Sequence, residues 1–218
     1  EKVVGYGAWA LHENGDQRAN ISPKDDIAIL KSEGKRIFSA SAKSIDYAIS
    51  HSKPPNININ SFSKDLQQKR ATFVTLYKNG ELRGCIGSIQ PVQPFIVDVV
   101  QNSYKAAKND PRFQPVQRDE LSQLELTISL LSQLEKLSFT NESDLLNQIR
   151  PKIDGLIFIE GGMRSVFLPQ VWDEIPDKLM FVEKLKQKAG LSTDHWSNTF
   201  QALRFTVSYL KGKLSIGL

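Results

Sequence analysis

The sequence predicts an α+β fold: a mixed or antiparallel sheet of hairpins packed with helices. Two hairpin signals and three separate stretches of helical periodicity predict it, with no regular βαβ alternation between them. The first signal is Asn79-Gly80, the preferred two-residue hairpin turn, between the β-branched and aromatic run 71–77 and the run 82–89. The second is Gly161-Gly162, between 155–160 and 163–168.

Taken in order, residues 3–11 read as a strand of small and apolar residues, broken at Asn14-Gly15-Asp16. Ser22-Pro23-Lys24-Asp25 is a helix start, with a serine cap, proline at the first helical position and an acid three residues after the cap. Ile27, Leu30, Ile37, Phe38, Ile45 and Ile49 then recur at three- and four-residue spacing, so one long amphipathic helix should stop before Pro54-Pro55. Residues 56–68 are polar and non-periodic, and read as a loop. In the first hairpin, Tyr77 should face Leu82, Thr75 Gly84 and Val74 Cys85. That register puts Arg83 and Cys85 on one face with Leu76 and Val74.

A helix should open at Pro94 and run to about Lys108, ended by Asp110-Pro111. Residues 123–131 alternate cleanly, with Leu124, Leu126, Ile128 and Leu130 on one side and Glu125, Thr127 and Ser129 on the other. A short helix is expected over 142–149 and a third long one over 177–189, with Gly190 in the C-terminal capping position. The last strand should span 202–210. The hairpin sheet is expected to join the strands near Leu126, Ile157 and Phe205.

Composition narrows the function classes. The 218 residues hold 40% hydrophobic and 24% charged side chains, an ordinary globular balance. A single cysteine, Cys85, excludes a disulfide framework and cysteine-rich zinc folds. No apolar run is long enough to span a membrane, residues 1–11 show no signal-peptide cleavage pattern, and a cytoplasmic location is expected. The net charge of +4 comes from scattered basic residues. Lys184, Lys186 and Lys188 read as the solvated side of the third long helix, and nucleic acid is a disfavoured partner.

The segment Leu82-Arg83-Gly84-Cys85-Ile86-Gly87 resembles the L-R-G-C-I-G signature of the AMMECR domain family. Asp110-Pro111-Arg112-Phe113, Asp154-Gly155-Leu156-Ile157, Phe167-Leu168-Pro169-Gln170-Val171, Lys188-Ala189-Gly190-Leu191 and Arg204-Phe205 follow in the family's order. The resemblance implies a domain of two unequal lobes, with the signature near a cleft. It also implies a pathway shared with Memo-like and radical S-adenosylmethionine proteins, and brings no established reaction. Residues 2–11 resemble the last strand of a Memo-like domain. Residues 1–20 are therefore expected to be an extension left from a Memo–AMMECR fusion, and 21–218 the AMMECR-like domain.

For chemistry, Cys85 reads as a nucleophile, a metal ligand or a small core residue. Arg83 is placed to favour its thiolate, and Gly84 and Gly87 to leave room for a small-molecule ligand. Glu125, on the polar side of its strand, is the acid/base candidate, and Arg112 an anion anchor or a turn lock. His12, His51 and His195 read as surface residues, and no ligand spacing builds a zinc site. No cofactor is named by the sequence. Two functions stay open: an enzyme or enzyme accessory of unknown substrate, and a non-catalytic module that recognises protein or nucleic acid.

Overall fold

The computed structural model describes residues 9–13 and 23–214. In chain order the elements are β1 (Trp9–Glu13), α1 (Pro23–Ser50), α2 (Lys64–Gln67), β2 (Thr72–Lys78), β3 (Glu81–Gly87), α3 (Phe95–Lys108) and β4 (Leu124–Leu131). Then come β5 (Glu135–Lys136), α4 (Glu142–Gln148), β6 (Gly155–Glu160), β7 (Met163–Phe167), α5 (Lys178–Lys188), β8 (Gln201–Phe205) and β9 (Val207–Lys213). The α+β class holds, and the chain forms two compact units of unequal size. The larger comprises Lys24–Leu131 with β1 and most of β9, and the smaller Ser132–Val207.

The larger unit carries a five-stranded sheet in the order β1-β9-β4-β2-β3. Along β2, Thr72, Val74 and Leu76 pair with Leu130, Ile128 and Leu126 of β4. This face, completed by Leu124 and Leu210, buries itself against Ile37 and Ile45 of α1 and Phe95, Ile96 and Val99 of α3. Strand alternation supplies the sheet's apolar side, and the 3.6-residue period supplies the helix stripes that cover it.

A buried carboxylate fixes α3 to the hairpin. Asp98 accepts five hydrogen bonds: from the Thr72 amide at 2.9 Å and hydroxyl at 2.6 Å, from Ser88 Oγ at 2.6 Å, and from the Gln93 and Asn102 amides at 2.9 Å each. Burial of an ion is tolerated only with such full satisfaction.

The smaller unit has its own sheet, ordered β5-β8-β6-β7 with every pairing antiparallel. The expectation of one sheet is therefore corrected. The hairpin sheet takes the Leu126 strand, while Ile157 and Phe205 lie in the second sheet. Period-2 alternation tells which side of a strand is buried, not which core buries it. The predicted strand 202–210 likewise divides at Thr206 into β8 and β9.

In the second core Trp172 stacks on Phe181 with centroids 3.6 Å apart, and its indole N–H donates to the Asp154 carbonyl at 2.7 Å. Lys186 corrects another expectation. Far from being solvated, it is fully buried, ion-paired with Glu142, and donates to the Thr193 carbonyl at 2.9 Å.

Only part of the expected N-terminal extension falls among the described residues. Residues 9–13 form β1, which pairs antiparallel with β9, Leu11 opposite Leu210. Residues 1–8 and 14–20 of the expected extension, and the Ser22 cap, lie outside the described residues.

Candidate functional site

The site grows from the turn. Asn79 and Gly80 both take positive φ, 53° and 85°, as a two-residue hairpin of this kind requires. Tyr77 faces Leu82 as expected, but the register then shifts: Leu76 faces Gly84 and Thr75 faces Cys85. Arg83 is the extra residue of a β-bulge. One added residue turns Cys85 to the opposite face from the one the simple register gives. It leaves the Val74 and Leu76 side and joins Thr75 and Thr127, with its sulfur 3.2 Å from the Thr75 hydroxyl.

Gly84 and Gly87 are explained by packing inside the chain. A β-carbon on Gly84 would stand 2.2 Å from the Ala106 carbonyl oxygen of α3. One on Gly87 would stand 2.2 Å from the Phe73 ring. The room that these glycines were expected to leave for a ligand is filled by α3 and by Phe73.

Arg83 is also committed. Its Nε and Nη2 donate to the two oxygens of Glu120 at 3.0 Å each, and Lys78 Nζ donates to the same carboxylate at 3.0 Å. The Gln117 amide adds a further donor at 2.9 Å. Hydrogen bonds from Arg83 hold the Glu120 carboxyl down at about 2, against the opposing effect of its burial. Glu125, the acid/base candidate expected near Cys85, faces Tyr77 across the strand and pairs with Lys211 at 3.6 Å. The carboxylate that Arg83 uses sits in a 3₁₀ segment, Arg118–Gln123, where no periodicity points to it. The available signal was the Gln117–Glu120 capping box together with two cations on the hairpin.

What does converge on Cys85 is the turn after α3. The Cys85 amide donates to Asp110 Oδ2 at 2.8 Å, and its carbonyl accepts from Arg112 Nη2 at 3.2 Å. Arg112 in turn grips Asp110 through Nε at 3.0 Å and Nη2 at 2.7 Å. These bonds hold the Asp110 carboxyl at about 2. The Arg112 pKa is raised, first by Asp110 and further by the Cys85 side chain beside it. Of the residues singled out from sequence, the fold thus brings Cys85 and Arg112 together and leaves Glu125 and the Arg83 guanidinium with other partners. Asp110 and Thr75 complete the group. Arg112 remains half exposed while Asp110 is almost wholly buried, so the cation can meet a solute and its anchor cannot.

The histidines stand elsewhere. His51 stacks on Tyr47 at 3.5 Å, His195 lies in the smaller unit 3.8 Å from Glu160, and His12 occupies β1 opposite Tyr209. Among the described residues no three His, Cys, Asp or Glu side chains are arranged to hold a metal ion, and no helix is long and apolar enough to cross a membrane.

The AMMECR1 family model matches residues 39–210, from the middle of α1 to β9. The chain belongs to the AMMECR1 family. Similar proteins come from archaea and bacteria. One from Methanothermobacter thermautotrophicus is 36% identical over 168 residues, covering 76% of this chain and 86% of the relative. Another, from Thermotoga maritima, is 35% identical over 156 residues, covering 69% and 83%. The crystal structure of protein PH0010 from Pyrococcus horikoshii superposes with a TM-score of 0.75 at 28% identity, covering 82% of this chain and 90% of that one. The AMMECR1 match takes in the hairpin, the Asp110–Arg112 turn and the whole second sheet.

Proposed function

We propose that the protein is an enzyme or enzyme accessory whose working group is the Cys85 thiol, acting on a small anionic or electrophilic molecule that Arg112 draws in. The observation that carries this reading is the Cys85–Asp110–Arg112 arrangement. A partly exposed thiol sits beside a guanidinium that is itself clamped by a buried carboxylate. The Cys85 side chain is one of the groups that raise the Arg112 pKa, after Asp110, so the guanidinium stands close enough to favour a thiolate, which is the nucleophilic form. The Thr75 hydroxyl, 3.2 Å from the sulfur, is a further donor to that anion. Association with Memo-like and radical S-adenosylmethionine proteins belongs to the same proposal and is supported by the signature segment alone.

A test is the rate of iodoacetamide alkylation of the folded chain at neutral pH. The reading expects Cys85 to react faster than a free thiol of pKa about 8.5. It expects Arg112→Ala to slow that reaction several-fold and Arg83→Ala to leave it nearly unchanged. A thiol that reacts only on unfolding would make Cys85 a packing residue and leave the non-catalytic binding module as the better description.

A further inference from the structure

Behind the sheet, on the α1 side and away from Cys85, an open pocket of about 390 Å³ lies between α1, Val100 of α3 and the loop 52–62. Its floor is a second stripe of α1: Arg36, Ala40, Lys43 and Tyr47 follow one another at three- and four-residue spacing, beside the stripe that enters the core. The facing wall is apolar, made by Pro55, Ile57 and Phe62. No carboxylate lines it.

The wall is pre-ordered although the sequence reads as a polar loop. Arg36 Nη2 donates to the Ser61 carbonyl at 2.8 Å, and its guanidinium lies 5.6 Å from the Phe62 ring centroid. The Asn58 side chain caps the short turn Ile59–Ser61, and Gln67 Nε2 donates to the Phe62 carbonyl at 2.8 Å. Arg36 is occupied by these contacts and by Glu33 at 3.6 Å. Lys43, which also lines the pocket and is exposed, has no acidic partner among the described residues. The chemistry is a preformed slot with an apolar wall and two cations, Arg36 engaged by its own contacts and Lys43 exposed, within the roughly 300–1,000 Å³ range of small-molecule sites.

We propose that this pocket binds a small amphipathic anion: an aromatic or branched apolar body seated against Phe62, Ile57 and Tyr47, with one acidic group on Lys43. The site is separate from the Cys85 thiol and does not depend on the function proposed for it. The probe is 1-naphthalenesulfonate, compared with the neutral 1-naphthalenemethanol, followed by ¹⁵N–¹H amide shifts of the whole chain.

Saturable shifts confined to the amides of 36–47, 56–62 and those next to Val100 are expected, with the sulfonate binding more tightly than the alcohol. Lys43→Gln should weaken the sulfonate roughly three- to fivefold, the worth of a partly exposed charge contact, and leave the alcohol unchanged. Ala40→Phe should abolish both by filling the floor. Because Lys43 is exposed, its variant should keep the wild-type melting temperature and so remain informative if the phenylalanine variant fails to fold. Unsaturable shifts, shifts elsewhere in the chain, or equal binding of both compounds to wild type and Lys43→Gln would overturn the proposal.

Discussion

Arg83 and Glu120 form a two-pronged ion pair, Nε and Nη2 each 3.0 Å from a carboxylate oxygen, between side chains that are about 15% and 11% exposed. The pair ties the bulged strand β3 to the 3₁₀ segment ahead of β4, thirty-seven residues along the chain. It makes Arg83 a structural clasp for the hairpin, which frees Arg112 as the cation at Cys85.

The clasp predicts an acid dependence. Glu120 in the fold is held at about 2, below its ordinary value of 4.5, by Arg83 first and by Gln117 and Lys78 after it. A depressed carboxylate contributes stability that is complete above the unfolded pKa and is lost as pH falls towards the folded one. Glu120→Gln should therefore cost about 2 kcal/mol at pH 7 in urea unfolding, the worth of hydrogen bonds to a charged group. The gap between variant and wild type should close as the pH falls from about 4.5 to about 2. A gap that persists unchanged at low pH would mean the loss is steric rather than ionic.

Glycine substitutions separate packing from chemistry in the signature segment. Gly84→Ala puts a methyl 2.2 Å from a backbone oxygen of α3, which cannot rotate away, so the hairpin and helix must part. A loss of about 3 kcal/mol, or failure to fold, is expected from such overpacking. Gly162→Ala, with nothing within 4 Å, should change stability by no more than about 0.5 kcal/mol. Thermal melts of the two variants decide the matter. A stable Gly84→Ala protein would show that the strand has room to spare there.

Local signals in the sequence carried well where the physics is local. Asn79-Gly80 set the turn and Tyr77–Leu82 pairing, Asp177 caps α5 by accepting from the Met180 amide, and Gly190 takes the positive φ of a C-terminal cap. Non-local consequences were not legible. One bulged residue at Arg83 reverses the face of Cys85, and no residue type announces which of two regular positions will be skipped. Glu120 lies in a turn without periodicity, and Lys186 sits in a run of alternating lysines whose burial depends on Glu142, forty-four residues away. Cys85 and Arg112 were both singled out from the resemblance, but their meeting through Asp110 is a tertiary fact.

The Lys186–Glu142 pair predicts an asymmetry. The ammonium is fully buried and the carboxylate about one-third exposed. Glu142→Gln leaves the buried charge with the Thr193 carbonyl, the Trp196 face and the more distant Asp194 carboxylate in place of its direct partner, so it should cost about 3 kcal/mol. Lys186→Met removes the buried charge itself, keeps the apolar stem and leaves a carboxylate that water can reach. Its cost should be about 1 kcal/mol or less. Equal losses in denaturant titrations of the two variants would show that the pair acts as ordinary surface charges.

Asp26 predicts the opposite pH behaviour to Glu120. It is only 5% exposed, and burial pushes its carboxyl up to about 6, although Arg70 stands 2.8 Å away and pulls it down. A group raised in the fold binds its proton more tightly there than when unfolded. Its contribution is complete below the unfolded value of 3.8 and is lost as pH rises through about 6. Asp26→Asn, which removes the charge and keeps the shape, should accordingly stabilise the protein above pH 7 by about 2 kcal/mol, allowing for some relaxation around the site. The advantage should shrink as pH falls below about 6 and vanish only below about pH 3, where the carboxyl is neutral in the folded and unfolded states alike. Melting temperatures of wild type and variant across about pH 3 to 8 read this directly. A variant less stable than wild type at pH 7 would show that attraction to Arg70 outweighs the cost of burying the charge.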